Sequence, residues 1–118
     1  MPNDSLSALT TLVLDFRTAR DWKQFHTPKE LAISLVVEAA ELLEIFQWKQ
    51  AAELDQAVAK RRTEIADELG DCLHSILLLA HDLKIDLGEA LFEKMRKMEA
   101  KYPVAKAKGR PKKYNELD

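Results

Sequence analysis

Residues 34–48 read SLVVEAAELLEIFQW, and residues 65–80 read IADELGDCLHSILLLA. Each stretch sets two carboxylates three residues apart inside an apolar run: Glu38 and Glu41 in the first, Glu68 and Asp71 in the second. That spacing brings both side chains to one face of an α-helix, about a turn apart. Leu31, Leu35, Leu42 and Ile45 flank the first pair, so it turns toward packed structure, while Glu44 points further round toward solvent. Two such helices packed face to face gather four carboxylates at one point. Clustered negative charge in an apolar setting is costly unless a hard cation joins it. Mg²⁺ suits such oxygen donors, and it completes its shell with water and substrate phosphates.

Working outward, Thr27 is a good N-cap, Pro28 suits the first helical position and Glu30 completes a capping box, so the first stretch belongs to a helix running to about Trp48. The second stretch belongs to a helix over roughly Arg61 to Leu83. Its half CLHSILLLA is apolar on most sides and is expected at the centre of a bundle. Glu64, Glu68, Asp71 and Ser75 line one stripe of it. Upstream, Leu6, Leu9, Val13 and Phe16 mark one face of a helix from about Ser5 to Arg20. Downstream, Asp86 caps a fourth helix, with Glu89 three residues on, that ends near Tyr102–Pro103. Residues 49–60 read as a loop plus a short helix. No stretch reads as a convincing strand. The expected fold is all-α, a four-helix bundle over residues 1–103, followed by a basic tail over 104–118 that carries Lys106, Lys108, Arg110, Lys112 and Lys113.

Composition excludes several classes. A chain of 118 residues fits one modest domain. A net charge of −2 gives no global attraction to nucleic acid or to an anionic membrane. The basic tail has Tyr114 as its sole aromatic, so no nucleic-acid tract is read there. The apolar runs are too short to span a bilayer, and MPNDSLSALTTLVLDF lacks the basic and apolar segments of a signal peptide. Cys72 is the single cysteine, compatible with a cytoplasmic location, and reads as a small buried apolar residue.

Other readings compete with a metal site. One pair of carboxylates on a helix is usually a solvated face. Two embedded pairs need partners, and Arg61 and Lys94 are the cations placed to form a structural ion-pair network in a non-catalytic interaction module. A dinuclear iron site prefers Glu-x-x-His on two helices, and only Asp71–Cys72–Leu73–His74 approaches that pattern. Trp22, Phe25, His26 and Trp48 offer flat faces on which a nucleobase stacks. Lys94, among the lysines of the fourth helix, is placed to neutralise phosphate.

The stretch RDWKQFHTPKELAISLVVEAAELLEIFQW, then EIADELGDCLHSILLLA, then KM, KYP and KYNEL, resembles the MazG-like all-α nucleoside triphosphate pyrophosphohydrolases, and most of all their dCTP pyrophosphatase branch. The likeness covers roughly Phe16 to Leu117. It implies hydrolysis of a (deoxy)nucleoside triphosphate, dCTP or a close analogue, to the monophosphate and pyrophosphate with Mg²⁺. The metal ligands it implies are Glu38, Glu41, Glu68 and Asp71; the base-side residues are Trp22, His26 and Trp48; the phosphate-side lysine is Lys94. Glu41 or Glu38 is expected to orient or deprotonate the attacking water, a task Glu68 and Asp71 could serve equally. The family also implies a homo-oligomer, a dimer or a tetramer, and the apolar surface of four short helices points the same way. Removal of non-standard nucleotides and control of a deoxynucleotide pool both fit. Two positions depart from the pattern: Ser75 where relatives often have Tyr, and Met98 where many have Asn. Both bear on how sugar and phosphates are held.

Overall fold

A computed structural model describes residues 3–117. Met1 and Pro2, which open the stretch read for a leader, and Asp118, which ends the tail, lie outside the described residues. Among the described residues the regular structure is all helical, without a strand, and comprises α1 (Leu6–Ala19), α2 (Pro28–Phe46), α3 (Ala52–Lys60), α4 (Arg62–Asp82), α5 (Leu87–Lys101) and α6 (Val104–Ala107), with 3₁₀ turns at Lys23–Phe25 and Tyr114–Glu116. The chain divides by packing into a unit that ends at Lys84 and a unit that begins at Ile85.

Local chemistry sets the helix starts. The Ser5 hydroxyl accepts from Ala8 N–H at 3.2 Å, Thr27 from Glu30 N–H at 3.1 Å, and Asp86 Oδ1 from Glu89 N–H at 3.0 Å. Each bond satisfies one of the amides that a helix leaves without an internal partner. α3 starts differently. Ala51 stands before it at φ 45°, a left-handed conformation with no side-chain cap.

In the first unit α4 is the hub, with α1, α2 and α3 all packed against it. Leu31 and Ile45 of α2, Ala57 of α3, and Leu77, Leu78 and Ala80 of α4 form the buried apolar core. The half of α4 read as central does lie at the centre. Ser75, one turn beyond Asp71, is buried there too. Cys72, read as buried, is half-exposed.

α1 buries a single residue, and it is a charged one. The Arg17 guanidinium donates in a two-pronged fork to Asp82, Nη1 to Oδ2 at 2.9 Å and Nη2 to Oδ1 at 2.8 Å. The two side chains are only 5% and 7% exposed. This pair fastens the last turn of α1 to the last residue of α4. Lys23 Nζ lies 3.7 Å from Asp82 Oδ2, which draws the following 3₁₀ turn to the same place.

In the second unit α5 has no buried residue, and Leu91, Phe92, Met95 and Met98 are exposed on it. In the expected tail, Tyr114 meets Tyr102 edge-on at 6.2 Å and lies under the Lys101 ammonium at 4.6 Å.

Candidate metal centre

α2 and α4 carry the two acidic pairs on the faces they turn to each other. Oxygens of Glu38, Glu41 and Glu68 lie within 4.8 Å of one another. Asp71 joins them through Glu38. Burial, then the charges of Asp71 and Glu41, push the Glu38 carboxyl up to about 7. Burial, then Glu41, raises Glu68 as well. Glu38 thus meets Asp71, and Glu41 meets Glu68, so the two helices run antiparallel. The Cys72 thiol beside them is raised by burial and by the same carboxylates.

This cluster is not balanced from within. No lysine, arginine or histidine forms an ion pair with any of the four carboxylates among the described residues. Arg61, a cation the ion-pair reading relied on, is held by Glu64, with Nε to Oε2 at 3.0 Å. Oε2 of Glu68 is buried and receives no hydrogen bond. A buried, unpartnered carboxylate oxygen among other carboxylates fits a hard cation with oxygen coordination. His74, which a dinuclear iron site would need, is not in the group of converging ligand atoms.

The metal-free protein is expected to show the charge conflict directly. Glu38 is raised from its ordinary value of 4.5 to about 7. Its protonated form is therefore favoured by folding. The resulting contribution is full below the ordinary value and is lost as the pH rises through about 7. The melting temperature in a chelator should fall over this interval, and added Mg²⁺ should restore it most at the alkaline end. A flat chelator profile with no Mg²⁺ response would remove the basis for a metal centre here.

The aromatic candidates do not come together within one chain. Trp22 and His26 precede α2 and Trp48 follows it. A helix of 19 residues is about 28 Å long, so the two groups stand at opposite ends of it. At the first end the Trp22 ring meets Phe16 edge-on at 5.7 Å, and Trp22 N–H donates to Arg17 O at 3.2 Å. Nδ1 of His26 is buried without a partner. Burial, then the charge of Arg17, lowers the His26 pKa, and Asp82 opposes this. At the other end Trp48 is 89% exposed and sits at φ 69°. Lys94 is exposed on α5 in the second unit. The Arg17–Asp82 pair was not among the sequence candidates. Its partners stand 65 residues apart, and no local spacing joins them.

Comparison with known proteins agrees with the architecture. Residues 33–117 match the MazG-like family. The dCTP pyrophosphatase 1 of Rattus norvegicus is 37% identical over 118 residues, 98% of this chain and 69% of that protein. The Homo sapiens dCTP pyrophosphatase 1 is 36% identical over the same shares. A pyrophosphatase from Archaeoglobus fulgidus, known from its crystal structure, superposes with a TM-score of 0.80 at 38% identity, over 87% of this chain and 96% of that one. The chain therefore belongs to the MazG-like family, as an enzyme of the nucleotide pyrophosphohydrolase class.

Proposed function

We propose that the enzyme hydrolyses a (deoxy)nucleoside triphosphate, with a dCTP-like substrate preferred, to the monophosphate and pyrophosphate in the presence of Mg²⁺. The observation that carries this is the convergence of Glu38, Glu41 and Glu68 within 4.8 Å, with no ion pair to balance them among the described residues. Glu38, Glu41, Glu68 and Asp71 would hold the ion. When bound, it would neutralise phosphate charge and acidify water. The residues do the rest by position. Glu41, or Glu38 beside it, accepts a proton from the attacking water. The water oxygen bonds to the α-phosphorus, and the bond from that phosphorus to the bridging oxygen breaks to release pyrophosphate. Lys94 serves the phosphate side, and Trp22, His26 and Trp48 serve the base. The dCTP pyrophosphatase relatives and the single cysteine support a pyrimidine substrate and a cytoplasmic setting respectively. The working form is a homo-oligomer, a dimer or a tetramer.

The test is a panel of ribo- and deoxyribonucleoside triphosphates with Mg²⁺, scored for pyrophosphate against orthophosphate. Pyrophosphate with monophosphate is expected. Orthophosphate with diphosphate would sink the proposal. Trp48→Ala should raise KM for the best substrate at least as much as it lowers kcat, because stacking binds ground and transition states alike. An unchanged KM would place the base elsewhere.

A further inference from the structure

Three cations meet at a cavity outside the acidic cluster. Where the loop after α2 passes α3 and the start of α4, Lys49, Glu53, Gln56, Ala57, Lys60 and Arg61 line a space of about 220 Å³. Neither lysine forms an ion pair among the described residues, and Glu53, which shares the cavity, closes on neither of them. Lys49 is half-buried, although a lysine ordinarily carries its ammonium out to water. Arg61 is held in place by Glu64, with Nε to Oε2 at 3.0 Å, and its Nη1 makes no bond among the described residues. The backbone that presents Lys49 is unusual as well. Trp48 at φ 69° and Ala51 at φ 45° bracket it in left-handed conformations. Each is a cost for a residue other than Gly, and such strain persists where the surroundings fix it.

We propose that this cavity is a phosphoanion site, which takes inorganic pyrophosphate or the terminal phosphates of a bound triphosphate. Like charges brought to one cavity repel each other, and an anion that joins them removes the conflict. Two ammonium groups and a fixed guanidinium suit a multiply charged oxyanion with several acceptor oxygens. The Gln56 amide adds a neutral donor. Glu53 accepts the proton that phosphate and pyrophosphate retain near neutral pH. An apolar ligand gains little from such walls. Arg61 stands seven residues before Glu68, a rise of about 10 Å. The site therefore lies within a nucleotide's length of the carboxylates, yet none of its residues belongs to that centre.

Binding is measured without turnover, so the site and the proposed reaction can fail separately. Inorganic pyrophosphate is titrated by calorimetry into the protein in chelator, where the four carboxylates hold no ion and repel the anion. Binding of one pyrophosphate per chain is expected. Lys49→Gln/Lys60→Gln should weaken it about tenfold or more, since two charge-assisted contacts are lost. Lys29→Gln/Lys106→Gln, the same loss of charge outside the cavity, should leave it level. Melting temperatures without ligand check that both variants fold. No binding in chelator, or an equal loss in the two double variants, would overturn the site and return Lys49 and Lys60 to ordinary solvated lysines. Kinetics then separates the two sources of phosphate. If the terminal phosphates of the substrate enter the cavity, KM for the best triphosphate rises in Lys49→Gln/Lys60→Gln. If free pyrophosphate enters it, inhibition of turnover by added pyrophosphate weakens instead.

Discussion

Replacing any one of Glu38, Glu41, Glu68 or Asp71 by its amide is expected to lower kcat/KM by about two to three orders of magnitude, the scale on which loss of one preorganised electrostatic contact is felt. The same substitutions should not weaken the metal-free fold. Oxygens of Glu38, Glu41 and Glu68 lie within 4.8 Å of one another, so removing one charge relieves the others. Glu38→Gln should show this most, because burial together with Asp71 and Glu41 lifts its carboxyl to about 7. Its melting temperature in chelator at pH 8 should equal or exceed that of the parent, while the Mg²⁺-induced rise shrinks. The pairing of opposite effects, activity down and metal-free stability level or up, separates a ligand cluster from a structural network. In a network, loss of one member costs stability. Near-parental turnover at saturating Mg²⁺ in two of the four variants would defeat the site assignment.

Much of this centre could be read from spacing alone. Residues three apart on a helix share a face whatever surrounds them, so each pair was legible. The caps at Ser5, Thr27 and Asp86 are equally local, and the side-chain bonds found there follow from residue type. Long-range consequences were not legible. Trp22, His26 and Trp48 all border the helix that carries Glu38 and Glu41, and in sequence this looks like proximity. Helical rise turns it into a separation of about 28 Å. The left-handed backbone at Ala51 and Trp48 has no residue-type signal either, since neither is Gly, Asn or Asp.

Breaking the Arg17–Asp82 pair should be the costliest single change to stability outside the apolar core. With the two side chains 5% and 7% exposed, removal of one partner strands the other in a low-dielectric site, at about 3–5 kcal/mol. The two directions should differ. Arg17→Met leaves Asp82 with Lys23, 3.7 Å away. Asp82→Leu leaves Arg17 without its one ion-pair partner among the described residues, and should be the worse variant. The double variant Arg17→Met/Asp82→Leu should recover most of the loss, because apolar residues of similar volume avoid the desolvation that the pair offsets only in part. The pH dependence gives a second signature. The hydrogen bonds from Arg17 hold the Asp82 carboxyl below its ordinary value of 3.8. Its contribution is therefore full above that value and is lost as the pH falls through the depressed one. The parent should show this acid-side loss in urea midpoints, and the double variant should show less of it. A double variant as unstable as Asp82→Leu, with the parent's acid-side slope intact, would mean that the pair is not what joins α1 to α4.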